Sequence, residues 1–386
     1  MSSFDGELLQ RLKGLEEQNL LRSLRTVGSP QQPRAIIEGR ELKNFSSNDY
    51  LGLAADPRLK EAAVRAIERW GIGSGASRLI TGSLQPHEEL EESLSNFKNT
   101  EAALTFSSGY ATALGTITAL AGRGDVVVLD KLVHASIVDA ARLSDATLRI
   151  FRHNDLNDLE EILRWADQQK RGQILVVTES LFSMDGDLAP LKEMAELKEK
   201  YGAWLMVDEA HGTGVFGANR RGHAEECGVS DRIDIQMGTL GKALGAAGGY
   251  IAGSRTLISY LINKARSFIF STAPSPVVSA AATAAVEIAS SAHGADLLRK
   301  LRDNIATFRT AARFSSAPHS PILPLMAGEE DRALQMAAKF REAGIFVPAI
   351  RYPSVARGKA RLRFTVSSAH HIADVEAVVK VIASHD

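Results

Sequence analysis

Cysteine is nearly absent. Cys227 stands alone in 386 residues, which excludes an intrachain disulfide and a zinc site built from four cysteines. A lone thiol suits a reducing compartment, so a cytoplasmic location is expected. No excess of either charge is present: 45 Lys+Arg face 46 Asp+Glu, for a net charge of -1. That balance offers nothing to nucleic acid or to an anionic membrane surface. Long hydrophobic runs are missing as well. The longest apolar-rich stretch, residues 277–288, is broken by Ser279, Thr283 and Glu287 and is too short to span a bilayer. The first 24 residues lack the apolar core of a signal peptide. Within them Leu8, Leu9, Leu12, Leu15 and Leu20 recur at roughly helical spacing and predict an amphipathic helix.

What the chain does have is alternation. With 45% hydrophobic and 24% charged residues it has ordinary globular usage. Between residues 102 and 253, short apolar runs alternate with longer helical patterns. Residues 102–106, 126–129, 174–178, 204–207 and 250–252 read as buried strands, and 191–201 as a helix closed by Gly202. The pattern predicts an α/β fold: a mostly parallel sheet with helices on both faces, its ligands gathered beyond the carboxyl ends of the strands. After Pro274 and Pro276 an alanine-rich helix is expected to about residue 292. A smaller α+β domain follows, with helices at 297–312, 332–343 and 373–382 and strands at 322–325 and 360–365. Pro324 would confine the first of these strands to a sheet edge. The expected division is an N-terminal helical segment over 1–45, a large domain over 46–285 and a small domain over 286–386.

Several segments put chemistry at strand ends. Trp204-Leu-Met-Val-Asp208-Glu-Ala-His211-Gly212 places an acid where an apolar strand runs out; it reads equally as an N-cap or a structural ion pair. Asp-Glu-Ala-His also spells a helicase box, which needs an upstream Gly-x-x-x-x-Gly-Lys-[Ser/Thr] loop. Before Gly241-Lys242, Gln236 stands where the first glycine should be, and Ala243 follows the lysine, so that reading fails. Phe106-Ser-Ser108-Gly109-Tyr110-Ala-Thr112 joins a strand to a helix start, a seat for an anion or simply a capped turn. Lys242 lies among glycines, either a nucleophilic amine or a surface lysine in a flexible turn. His134 follows a strand, and Ser183-Met-Asp-Gly-Asp187 reads as a polar turn rather than a metal-binding pair. Singly each is ambiguous. Their order suits pyridoxal 5'-phosphate (PLP), which needs an anion seat, a stacking face, a carboxylate at its pyridinium nitrogen and a lysine at its aldehyde.

Five longer motifs sharpen this: Phe45-Ser-Ser-Asn-Asp-Tyr-Leu-Gly-Leu53, Gly71-Ile-Gly-Ser-Gly-Ala-Ser-Arg78, His87-Glu-Glu-Leu-Glu91, Phe182-Ser-Met-Asp-Gly-Asp187 and Val207-Asp-Glu-Ala-His-Gly-Thr-Gly214. In them the chain resembles the α-oxoamine synthases, a branch of the aspartate aminotransferase-like (fold-type I) PLP enzymes. The resemblance runs from Leu21 to Arg363. It implies that Lys242 carries PLP as a Schiff base and moves the substrate's Cα proton. Asp208 pairs with the pyridinium nitrogen, His134 stacks on the ring and His211 reaches the phenolic oxygen. Ser108, Gly109, Tyr110, Glu179, Ser183 and Thr239 lie around the cofactor, and Thr272 reaches its phosphate across a homodimer interface.

For substrates, the resemblance implies that Asn48 and Arg363 hold an amino-acid carboxylate, a task that suits a guanidinium fork. Arg22 and Arg351 meet the distal carboxylate of a pimeloyl chain, and Ser354 belongs to the acyl wall. The implied activity is the biotin-pathway condensation of L-alanine with pimeloyl-CoA or pimeloyl-acyl carrier protein. The alternative is a relative that joins glycine to acetyl-CoA and binds no distal carboxylate. One departure touches the acyl wall: Tyr352-Pro-Ser354-Val-Ala356 stands where the family usually has Pro-Pro-Thr-Val-Pro.

Overall fold

The computed structural model describes residues 2–18, 20–169 and 172–383. Its centre is a seven-stranded sheet. In spatial order the strands are Ala102–Phe106, Gly249–Gly253, Ile235–Thr239, Trp204–Asp208, Ile174–Glu179, Val126–Asp130 and Thr147–Phe151. All run parallel except Gly249–Gly253, which is antiparallel to both neighbours. Val126–Asp130 and Ile174–Glu179 are buried at every residue, as strands covered on both faces must be. Alternate residues feed opposite layers. Val127, Leu129, Leu175, Val177 and Met206 pack with Ile117, Ile137 and Leu261 on one face. Val126, Val128, Val176, Leu205 and Val207 pack with Leu159, Leu163, Leu191 and Met194 on the other. Each fully buried aliphatic side chain of this kind stabilises the fold by roughly 1.5–3 kcal/mol.

The five strands read from sequence are all present, most of them one residue longer. Two more were not read. Thr147–Phe151 is an edge strand with exposed Arg149, and Ile235–Thr239 contains Gln236 and Gly238, which weaken a strand signal. The helix expected at 191–201 spans Leu191–Lys200, and Gly202 takes a positive φ of 61° just beyond it.

The C-terminal strands form an antiparallel sheet in the order Ile322–Gly328, Ala360–Thr365, Ala349–Ile350. Pro324 does lie on an edge strand. The helix expected from residue 297 begins earlier, at Ala292, because the Ser291 hydroxyl caps it by accepting from the Gly294 N–H; it ends at Phe308.

The N-terminal segment differs from the expectation of a helical 1–45. Its helix, Ser3–Glu17, buries no residue. Arg34–Ile37 and Arg40–Asn44 then form an antiparallel pair, and Ile345–Phe346 joins it in parallel. The pair escapes sequence reading because it mixes Arg34, Arg40, Glu41 and Lys43 with its apolar residues. Among the described residues no helix is long and apolar enough to cross a membrane.

Candidate active site

Four parallel strands end, on the same side of the sheet, in Asp130, Glu179, Asp208 and Thr239. Register puts Glu179 directly beside Asp208, and Gly249 between Thr239 and Phe106. Gly249 has to be glycine: a Cβ there would lie 2.4 Å from Thr112 Oγ1 and 2.8 Å from the Gly109 Cα. The strand therefore draws the start of helix Gly109–Leu120 against Thr239. Ser108 caps that helix by accepting from the Ala111 N–H at 3.1 Å. Thr239 Oγ1 donates to the Gly248 carbonyl at 2.9 Å and accepts from the Gly241 N–H at 3.2 Å. The result is a helix N-terminus flanked by a hydroxyl, a seat for an anion. Tyr110 is exposed there, its hydroxyl donating to Asp139 at 2.7 Å.

Lys242 follows Thr239 in a loop bound to the Phe45–Leu53 motif. Gly245 takes a φ of 62°, and a Cβ on it would meet the Ala54 nitrogen at 2.4 Å. Burial lowers the Lys242 pKa, against the opposing pull of Asp208 and Glu179. Burial likewise raises Asp208, while Lys242 and the Ala210 N–H favour its charged form. Glu179 is raised by burial and by the neighbouring Asp208 charge; the backbone amides of His134 and Ser183 partly offset this. One of its oxygens, Oε1, is buried with no partner within the chain.

From Lys242 a line of hydrogen bonds runs to the opposite wall. Lys242 Nζ lies 2.8 Å from His211 Nε2, and His211 Nδ1 lies 2.7 Å from the Tyr50 hydroxyl. Tyr50 donates to Asn48 Oδ1 at 3.2 Å, and Arg363 Nη1 donates to the same oxygen at 3.1 Å. Burial, then the charges of Lys242 and Arg363, hold His211 far below its ordinary pKa, so its ring is neutral. A neutral ring has one donor. Lys242 donates to Nε2, so Nδ1 carries the hydrogen and gives it to Tyr50. Arg363 Nε also donates to the Ser183 carbonyl, which ties the C-terminal sheet to the serine loop.

His134 caps helix Ala135–Leu143, with Nδ1 held by Ser136 Oγ at 2.8 Å, and its ring is exposed. Partial desolvation on the side of the ring against the protein, then the Lys242 charge, lowers its pKa. Arg22, Arg351 and Ser354 line a separate cleft of about 460 Å³, with Leu21, Phe346 and Ile350 in its walls. It shares no lining residue with the Lys242 cluster, but Ile350 pairs with Arg361, two residues from Arg363. Thr272 is exposed and bridges Ser77 beside the π-helical turn Arg78–Gly82. Within one chain it does not join the Lys242 cluster, as a residue expected to act across an interface need not.

Residues 40–382 match the family model described as aminotransferase class I and II. The 8-amino-7-oxononanoate synthase of Geobacter sulfurreducens is 50% identical over 99% of this chain and 97% of its own length. That of Thermoanaerobacter pseudethanolicus is 45% identical over 96% of this chain and 94% of its own. The chain belongs to the 8-amino-7-oxononanoate synthase family.

Among solved structures, serine palmitoyltransferase from S. paucimobilis, with PLP and myriocin bound, superposes with a TM-score of 0.90 at 31% identity. The match covers 99% of this chain and 96% of that one. The Francisella tularensis 8-amino-7-oxononanoate synthase gives a TM-score of 0.75 at 29% identity, covering 89% and 97%. The fold is thus that of the class I and II aminotransferases, and membership makes the chain a PLP-dependent acyltransferase. The residues present fit PLP. An anion seat lies at Gly109–Tyr110, a carboxylate at Asp208, an exposed imidazole at His134 and an amine biased toward neutrality at Lys242. Glu179 Oε1, buried beside Asp208 without a partner in the chain, leaves an acceptor to be satisfied.

Sequence reading missed several residues of this family site. Tyr50 lay inside a quoted motif but reads as a core aromatic; only the fold puts its hydroxyl on His211. Glu209, next to Asp208, is buried and accepts from Ser180 Oγ at 2.5 Å and from the amides of His223 and Ala224. Arg361 donates to Asp185 in the serine loop at 2.6 Å. Asp130 ends an apolar strand as Asp208 does but was not singled out, and His153 carries no local signal.

Proposed function

We propose that this protein condenses L-alanine with a pimeloyl thioester, on CoA or on acyl carrier protein, to give 8-amino-7-oxononanoate for biotin synthesis. In the balance, a C–C bond forms between the alanine Cα and the acyl carbonyl carbon. The C–S bond breaks to release the thiol, and the alanine carboxylate leaves as CO2. Bound PLP supplies the electron sink that stabilises negative charge at the amino-acid Cα.

The chain's own residues do the rest. Lys242 Nζ would hold the cofactor aldehyde and would serve as the base that takes the alanine Cα proton and the acid that returns one; burial lowers its pKa and so raises its neutral fraction. Asp208 would hold the proton of the pyridine nitrogen, His134 would stack on the ring, and His211 would reach the phenolic oxygen. Ser108, Gly109, Tyr110, Ser183 and Thr239 would hold the phosphate side, with Glu179 among the residues around the cofactor. Asn48 and Arg363 orient the alanine carboxylate. Domains over 46–285 and 286–386, preceded by residues 1–45, belong to the same reading, as does a cytoplasmic location. A homodimer would bring the partner's Thr272 to the phosphate; exposed Ile72, Ile80 and Phe270 around that segment support it.

The observation that carries the substrate choice is the Arg22–Arg351 cleft. Four arginines line it, Arg22, Arg25, Arg341 and Arg351, beside apolar Leu21, Phe346 and Ile350; that mix suits an acyl chain that ends in a carboxylate, whereas an acetyl group has no carboxylate to bring there. Thiol release measured with alanine or glycine against pimeloyl-CoA or acetyl-CoA tests this. Alanine with pimeloyl-CoA should be fastest; a faster glycine and acetyl-CoA pair would overturn it. Arg351→Ala should lower kcat/KM for the pimeloyl donor by about 10–100-fold, the worth of a charged hydrogen bond. The same change should spare an acyl donor without the terminal carboxylate, and equal losses on both would remove the proposed role.

A further inference from the structure

Two loops flank the proposed cofactor slot, one carrying His134 and the other Ser183, and both send backbone amides toward Glu179. The sheet holds each loop at its root, through Lys131 N–H to the Phe151 carbonyl at 3.1 Å and Ser180 N–H to the Asp208 carbonyl at 2.9 Å, and two acids shape what lies beyond. Asp130, buried at the end of its strand, accepts from the Leu132 N–H at 2.8 Å and so folds the path to His134. Asp187 closes the serine loop, its carbonyl accepting from the Phe182 N–H at 3.0 Å, one residue before Ser183.

Between these acids stands His153. Its Nδ1 lies 2.9 Å from Asp130 Oδ1 and its Nε2 lies 2.7 Å from Asp187 Oδ2. The Phe182 ring meets it edge-on at 4.4 Å. Asn154 reinforces the link: its N–H donates to Asp130 at 2.9 Å and its Nδ2 to Asp187 at 3.1 Å. Ionised carboxylates only accept hydrogen bonds, so both ring nitrogens must donate, and only the imidazolium can do that.

We propose that His153 is a positioning residue for the cofactor slot: as a doubly hydrogen-bonded cation it sets the spacing between the His134 loop and the Ser183 loop. The inference rests on the PLP reading above and gives a role to a residue that touches neither cofactor nor substrate. Burial alone would lower the His153 pKa. Hydrogen bonds and charge from Asp130 and Asp187 outweigh it and raise the pKa to about 10. Asp130 and Asp187 are the charged groups that face the ring. The adjacent Arg152 is engaged by Asp155 and Asp158 instead.

The test titrates PLP into apoenzyme, following the visible band, for wild type, His153→Gln and Asp187→Asn. Thermal melts of the apo forms and alanine KM values accompany it. Glutamine keeps one donor and loses the charge and the second bond. His153→Gln should weaken PLP binding by about tenfold, the usual effect of losing a partner that orients site groups. Asp187→Asn should move PLP affinity the same way by less, and alanine KM should change by less than about twofold in either variant. A His153→Gln enzyme that binds PLP as wild type does, whatever its melting temperature, overturns the inference and leaves the functional reading intact. Wild-type apoenzyme that takes up no PLP overturns both. If His153→Gln does not fold, Asp187→Asn decides by the same criterion: weakened PLP binding supports the inference and unchanged binding ends it.

Discussion

At Lys242 burial works against the charged amine while Asp208 and Glu179 favour it, and burial wins. A lowered pKa raises the neutral fraction of the amine, which the proposed Schiff-base role needs. Lys242→Ala should abolish the borohydride-sensitive visible band and lower turnover by about 10²–10⁴-fold, the typical worth of a positioned acid–base group. Single-turnover thiol release together with the spectrum checks both. Tyr50 acts one step away. Tyr50→Phe removes the acceptor for His211 Nδ1 and one of the two donors to Asn48 Oδ1. The tautomer of His211 is then free to change, and Arg363 loses part of its alignment. We expect kcat to fall by about two- to tenfold, the net worth of a neutral hydrogen bond, with a shifted pH profile for the visible band; an unshifted profile at normal kcat would show that the phenol only fills space. Lys242, Asp208, His211, Asn48 and Arg363 could be named from sequence only because the order of individually ambiguous segments resembles a known family, which gives each its role. Tyr50 could not, because a buried phenol among Leu51 and Leu53 looks like core until its hydroxyl is seen.

Elements place these residues through what terminates them. Parallel strands saturated with Val, Ile and Leu read clearly, and Asp130, Glu179 and Asp208 end three of them on the side where Thr239 ends a fourth. The antiparallel strand Gly249–Gly253 is the exception, and its first residue sets how near the Gly109 helix comes to Thr239. Gly249→Ala must push Thr112 or the helix backbone aside, costing about 1–3 kcal/mol as overpacking does. The expected result is a lower melting temperature with weaker PLP retention, measured by melting and by PLP titration of the apoenzyme; unchanged PLP affinity would separate the glycine from the anion seat. Strands with polar faces escaped sequence reading for a physical reason. Thr147–Phe151 and the Arg34–Ile37 and Arg40–Asn44 pair are stabilised by pairing and partial burial, and local propensity does not report either. The helix at Ala292 escaped because its Ser291 cap is followed by His293 and Gly294, which look like a break.

Across the whole molecule the chain's two ends meet at one imidazole. His370 stacks on Phe45 with centroids 4.2 Å apart and planes 11° apart. Its Nε2 donates to the Asn44 carbonyl at 3.0 Å, and its Nδ1 accepts from the Ser367 N–H at 2.9 Å. These contacts require a neutral ring. Burial lowers the His370 pKa from 6.5 to about 4, although the bond to the Asn44 carbonyl and the nearby Asp374 charge oppose the shift. The sign follows from linkage: the unfolded chain takes up this proton first as pH falls. His370 therefore contributes fully above pH 6.5, and its contribution declines from there to about pH 4. The two ends of that window differ by about 3 kcal/mol for this group. His370→Phe keeps a ring against Phe45 but cannot titrate. Urea unfolding of both proteins between pH 7.5 and 4.5 should show the wild-type advantage largest at the neutral end and shrinking below about pH 6.5. A difference that stays constant over the range would mean that His370 does not titrate in this window. The Asn44–Phe45 segment leads directly into the motif that holds Asn48 and Tyr50. Acid loosening at His370 should therefore reach Lys242 through Tyr50 and His211, so PLP release should accompany the stability loss at low pH in wild type and be weaker in His370→Phe.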